Sequence, residues 1–267
     1  EVWVDGVRVD NTLTGAIHNY NLMYTTDRFC VGREGERSNM YKLDGKVSDM
    51  AIFGASLTHE EIQSIYSNKN IADYNPTLWW KMGDGQGLTY DASGVHANAP
   101  DVLDHGSSGN DGVIHQNTSS STRYIGAVSN TTLANAPDAP DFNTWLQNYD
   151  ETSDIKVASM VGGSTDNHLY NNTFSGDLNA VSIWFHPDQV LSSATIQTLL
   201  GFTGGHGTYG GFATISFGGL TSALTDEFLS LTFASSNQWS YAYSSTTDSL
   251  PADQWHHVLI RWTGSTY

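Results

Sequence analysis

Four oxygen-bearing side chains crowd one short Gly/Ser stretch: Asp101, Asp104, Asn110 and Asp111. Hard cations gather carboxylate, amide and backbone oxygens in this way, so the spacing points to a Ca²⁺ loop. The same residues in the same density also make Asx-turns, with no ion at all. Asp84 and Asp91 form a second, sparser set of the same type. A different chemistry attaches to Trp239, Tyr241 and Tyr243. On a strand, alternate positions share one face, and three aromatic rings beside a Gly-rich rim (residues 204–211) would offer a stacking platform for sugars. Aromatic stripes also serve as ordinary core.

Other reactive side chains lack companions. Glycoside hydrolysis needs two carboxylates flanking one bond; Asp226 and Glu227 are adjacent and would point to opposite faces of a strand. His256 and His257 are adjacent in the same way, which predicts one packed and one exposed ring. Zinc would need further Cys or His at workable spacing, and His105, His115 and His168 fall in stretches read as loops. No Gly-x-Ser-x-Gly elbow is present. Cys30, the single cysteine, sits between Phe29 and Val31 and reads as a small core residue. The sequons at Asn117, Asn130 and Asn171 matter only in a glycosylating host.

Such residues need elements to hold them, and the periodicity is that of strands. Glu1 to Val9 is a hairpin around Asp5-Gly6, a pair that supplies the positive φ of a two-residue turn. Residues 28–33 read as a strand. Residues 43–53 read as another, with Val47, Asp49, Ala51 and Phe53 on one face and Met50 and Ile52 on the other. Thr58 and Glu61 form a capping box opening a helix to about Asn68, with Ile62, Ile65 and Tyr66 at helical spacing. Asn75-Pro76 marks a boundary. Further strands are expected at 77–82, 179–186, 199–201, 211–217, 229–233, 239–243 and 255–262. Residues 83–111 and 117–144 read as irregular. Short strands, turn signals and one short helix indicate an all-β sandwich or jelly roll.

Bulk composition narrows the function. Across 267 residues, 28 acidic side chains face 11 basic ones, a net charge of −17. Phosphate recognition needs clustered Lys and Arg, which excludes nucleic acid as the expected partner; an anionic membrane surface is disfavoured likewise. No apolar run reaches the length of a membrane-spanning helix, so no membrane insertion is expected. The Ser, Thr, Asn and Gly surface, poor in Lys, suits a secreted or particle-surface protein. A start at Glu1 suggests a processed product or a segment of something longer.

Several segments resemble the laminin-G-like, concanavalin-A-like lectin/glucanase superfamily. They are Trp255, His257, Val258 and Trp262 with Gly264-Ser265; Val4-Asp5-Gly6; Val31-Gly32; Leu43 to Asp49; Leu57 to Ile62; Trp80 to Gly85; Asp104 to Gly112; and Val181 to Phe185. The resemblance implies a concanavalin-A-like jelly-roll β-sandwich with its halves in permuted order. Residues 1–75 correspond to the C-terminal half of such a domain, and 76–267 to its N-terminal and central part, with irregular loops over 83–144. Joining Tyr267 to Glu1 would restore the family's order. The chain would then be a self-closing permutant, a window on a tandem array, or a half that completes a neighbouring copy. The Glu-x-Asp-x-x-Glu triplet of the superfamily's glucanases is missing, which implies no enzyme activity. Met82 to Gly85 and Ser108 to Gly112 also resemble structural proteins of marine bacteriophages. The implied role is a virion-surface or extracellular structural or adhesion module. Its expected partners are other copies of itself, neighbouring structural proteins and host-surface glycans. The alternative is a secreted lectin or a carbohydrate-binding accessory domain.

Overall fold

In the computed structural model of the chain, the described residues are 1–12, 28–32, 43, 45–67, 71–81, 102–115, 125–129, 154–160, 168–171, 179–192, 197–203, 212–217, 229–235, 238–244 and 249–261. In chain order the strands are β1 (Val2–Val4), β2 (Val7–Arg8), β3 (Asp10–Thr12), β4 (Arg28–Val31), β5 (Gly45–Phe53) and β6 (Leu78–Trp80). There follow β7 (Val113–His115), β8 (Ile125–Ser129), β9 (Asp154–Met160), β10 (His168–Asn171), β11 (Ala180–Pro187) and β12 (Leu191–Ser192). The last six are β13 (Gln197–Thr203), β14 (Phe212–Phe217), β15 (Leu229–Ser235), β16 (Gln238–Ser244), β17 (Ser249–Leu250) and β18 (His256–Arg261). One α-helix, α1 (His59–Tyr66), and a 3-10 turn, Ile71–Tyr74, lie between β5 and β6.

The fold is all-β with antiparallel sheets. The first sheet runs β2-β1-β18-β11-β5-β9-β8, with β6 paired to β5 as well; the second runs β3-β16-β15-β14-β13-β4-β10-β7. Alternation along the strands divides the apolar side chains. Val2 and Val4 of β1, Val258 and Ile260 of β18, and Val181, Ile183 and Phe185 of β11 form one buried cluster with Phe29, Val31, Leu200, Ile215 and Phe217 of the second sheet. This inter-sheet layer gives the molecule a sandwich-like architecture. Each such side chain contributes roughly 1.5–3 kcal/mol when fully buried.

The opposite face of the first sheet is covered as well. Trp3, Leu259, Ala180, Ala51, Phe53 and Trp79 pack under Ile62 and Ile65 of α1 and under Ile71. The expected capping box is present: Glu61 N donates to Thr58 Oγ1 at 3.2 Å, and Thr58 N donates to Glu61 Oε2 at 2.7 Å.

Three departures from the sequence reading stand out, the first two with a local cause. Val47 packs with Met50 and Ile52 in the inter-sheet core, not with Ala51 and Phe53. The reason is a β-bulge. Ser182 pairs with Ala51 but Trp184 with Ser48, so Asp49 and Met50 share Ile183, and Asp49 takes φ 47°. The extra residue inverts the alternation. Second, β8 lies inside the stretch read as irregular; Gly126 and Ala127 separate its two β-branched residues, Ile125 and Val128, and break the alternation that announces a strand. Third, His115 and His168, read as loop residues, stand opposite one another in β7 and β10.

Beside the consecutive run β13 to β16, several sequence-distant strands neighbour one another. β1 pairs with β18, Val2 opposite Ile260 and Val4 opposite Val258. β5 lies between β11 and β9, and β4 between β13 and β10. Residues 1–75 and 76–267 therefore share both sheets.

Candidate functional site

Asp104 follows β6 in space rather than in sequence. Isolated bridges join Trp80 to Asp104 and Val102 to Gly112, laying the loop 102–112 along β6. Its backbone is anchored further: His105 N donates to Trp79 O, Ser107 N to Pro76 O and Ser108 N to Thr77 O, at 2.8, 3.1 and 2.8 Å. Gly106 is required by this approach, since a Cβ there would lie 2.6 Å from Thr77 O.

The Asp104 carboxylate is the hub of the loop. Oδ1 accepts from Trp79 N at 2.8 Å and Gly106 N at 2.7 Å; Oδ2 accepts from Ser108 Oγ at 2.7 Å and Asn110 N at 2.9 Å. Asp104 N in turn donates to Asp111 Oδ1 at 2.8 Å, and the Trp80 indole donates to Asn110 O at 3.0 Å. Three of the four residues read as calcium ligands thus come together, while Asp101, Asp84 and Asp91 lie outside the described residues. A carboxylate offers about four lone-pair sites, and Asp104 gives all four to hydrogen donors. A cation would have to displace them. The loop is thus a self-bonded turn, and among the described residues no group of three or more His, Cys, Asp or Glu is placed to hold a metal.

A second cluster lies on the outer face of the first sheet, where β1, β18, β11 and α1 meet. Asp5 and Gly6 turn the first hairpin with φ 48° and 74°, the geometry expected from Asp-Gly. The turn docks on β18. Asp5 Oδ1 accepts from His257 N at 2.7 Å, Oδ2 lies 2.9 Å from His256 Nδ1, and Asp5 N donates to His257 O at 2.9 Å. His256 Nε2 reaches Pro251 O at 3.2 Å. Both histidines are therefore buried, at 3% and 0% exposure, and the expectation of one exposed ring is corrected. The cause is the second cover on the sheet: His257, on the outer face with Leu259, lies under Tyr66 of α1, while His256, on the inner face with Val258, packs on Phe185 and pairs with Asp5.

His257 Nε2 lies 2.8 Å from Ser182 Oγ, inside the protein. Its ring is 4.8 Å from Trp184 and 5.7 Å from Tyr66 of α1. Burial, opposed in part by the Asp5 charge, lowers its pKa from 6.5 to about 4. The Ser–His distance is that of a nucleophile and its base. Among the described residues no further group completes such a site. Both side chains are closed to solvent, and Asp5 addresses the His257 backbone and the His256 ring, while His257 Nδ1 has no partner. The pair holds strands together.

Trp239, Tyr241 and Tyr243 occupy alternate positions of β16, opposite Ala234, Thr232 and Ser230 of β15. Their side chains, the loop 204–211, Asp226 and Glu227 lie outside the described part. Cys30 is fully buried, as expected of a core residue. His105 stands in its loop with its ring 5.9 Å from Trp79. Sequence reasoning gave Asp5 the role of a turn former within Val4-Asp5-Gly6 and gave Ser182, inside Val181 to Phe185, no role of its own. The Val-Asp-Gly and Trp-x-His-Val segments were visible, but nothing local links them. Compared with models of known families, with curated proteins and with solved structures, the chain gives no match. Among the described residues, no helix is long and apolar enough to cross a membrane.

Proposed function

We propose that the chain is a non-enzymatic structural or adhesion module of a virion or other extracellular surface, built as a concanavalin-A-like jelly roll with its halves in permuted order. The observation that supports this most is the use made of its polar groups. Asp104 folds a loop, Asp5 and His256 fasten a hairpin, and His257 and Ser182 tie two strands. Each is spent on holding backbone rather than presented to a substrate. The permuted order draws on the pairing of β1 with β18. Arg261 N donates to Glu1 O at 3.0 Å, Glu1 N donates to Arg261 O at 2.8 Å, and the Arg261 guanidinium reaches Glu1 Oε2 at 2.7 Å. The first and last strands thus form the antiparallel pair that a continuous chain would form in the family order.

The module would act through contacts with further copies, with neighbouring structural proteins and with host-surface glycans. A second reading, a secreted lectin or carbohydrate-binding accessory domain, is favoured by the alternation of Trp239, Tyr241 and Tyr243 along β16, next to the edge strand β3. The deciding experiment is a glycan array run beside a panel of glycoside and ester substrates. No turnover and no tight sugar binding is the expected result. Sugar binding lost in Trp239→Ala would favour the lectin, and hydrolysis would overturn the non-enzymatic reading.

A further inference from the structure

The buried His257 sits where four elements close on one another. Tyr66 of α1 covers the turn of the first hairpin so closely that a Cβ on Gly6 would meet its ring at 2.5 Å. The Gln63 side chain donates to Gly6 O. Tyr66 also stacks on Trp184 at 5.8 Å, with the rings 10° from parallel. His257 lies beneath this cover with Nε2 on Ser182 and Nδ1 facing no acceptor.

We propose that this joint is an acid-sensitive latch: a proton taken up by His257 on mild acidification releases the β1–β2 hairpin and the end of α1 from β18. In either tautomer of the neutral ring, the added proton leaves Nδ1–H as a donor with no partner, inside a site that excludes water. An imidazolium in that position is satisfied only when its cover lifts. The charged and titratable groups facing it are few. Asp5 comes from the β1–β2 turn, His256 from β18 itself and Tyr66 from α1; β11 contributes the neutral Ser182 and Trp184, and from β5 Ser48 stands opposite Trp184. Further along, His186 of β11 lies near Asp188, and His59 of α1 packs on Trp3. Among the described residues, Asp5 is the one anion in contact, held by the His256 ring and the His257 backbone N–H; the buried Asp49 of β5 instead accepts from the Trp79 indole.

The direction follows from proton linkage. Burial lowers the folded pKa from 6.5 to about 4, so between these values the open form binds a proton that the closed form does not. Closure is complete at neutral pH and is lost as pH falls through this window. By pH ~4.5 the opening equilibrium should have risen on the order of 50-fold.

The test is hydrogen exchange on the full chain at pH ~7.5 and ~4.5, expressed as protection factors, across the window set by the shifted histidine. Protection of residues 2–9 should fall by about 50-fold, while that of β13 and β14 holds. In His257→Gln the fall should disappear, and in His256→Gln it should remain. An equal loss in β13 and β14, an undiminished fall in His257→Gln, or no fall in the wild type would each overturn the latch. Should His257→Gln fail to fold, the wild-type imidazole titration decides: a midpoint near 4 that moves with the hairpin amides supports the latch, and one near 6.5 sinks it.

Discussion

Asp5 and Asp104 do the same chemistry at two different ranges. Each is an aspartate beside a glycine turn, and each takes backbone N–H groups onto its carboxylate. Asp104 gathers donors mostly from its own loop, two to six residues away, plus Trp79. Asp5 gathers His256 and His257, more than 250 positions away in sequence. The first makes a loop and the second closes a fold. In both places the carboxylate anchors backbone. Its role depends on where its donors originate.

Substitutions can break this comparison, and the largest effect is expected at Asp104. Asp104→Ala leaves three backbone N–H groups and one hydroxyl without their acceptor, a loss of about 3–4 kcal/mol measured by urea denaturation. A loss under ~1 kcal/mol would mean that water replaces the carboxylate freely. The two glycine turns give the next contrast. Gly6 and Gly109 both have positive φ, 74° and 66°. A Cβ at Gly6 meets the Tyr66 ring at 2.5 Å, whereas one at Gly109 meets nothing within 4 Å. Gly6→Ala should cost about 3 kcal/mol and Gly109→Ala about 1, the shared part being backbone strain. Equal costs would show that the Tyr66 contact carries no energy.

How much of this was legible follows the same division by range. The Asp5-Gly6 turn, the Thr58–Glu61 capping box and the strands around Trp184 and Val258 are local patterns, and all are present where the sequence predicts them. The misplaced face of Val47 came from a single bulge residue at Asp49, which no alternation count can register. The burial of His257 depends on Tyr66 of α1, a cover supplied from the other end of the chain. Asp104, Asn110 and Asp111 were correctly grouped, because their loop is local. Their bonding was not legible, since an Asx-turn hub and a calcium loop are written with the same residues.

Two smaller effects sharpen the contrast. Asp5→Asn keeps the shape and the tolerance for positive φ but loses the charge on His256, and should cost about 1 kcal/mol at neutral pH. Millimolar Ca²⁺ should leave the denaturation midpoint where it is, because the Asp104 carboxylate already accepts four hydrogen bonds that a cation would have to displace. A rise abolished by Asp104→Asn would restore the ion.

The central claim is that residues 1–75 complete the sandwich of their own chain through β1, β4 and β5. The most direct test is light scattering of the purified 267-residue chain over a range of concentrations. The account predicts the mass of one chain on dilution, with any association through further copies reversible. A mass of several chains that persists on dilution and falls to one chain only when residues 1–12 are removed would contradict it, since the first hairpin would then lie on the last strand of a neighbour.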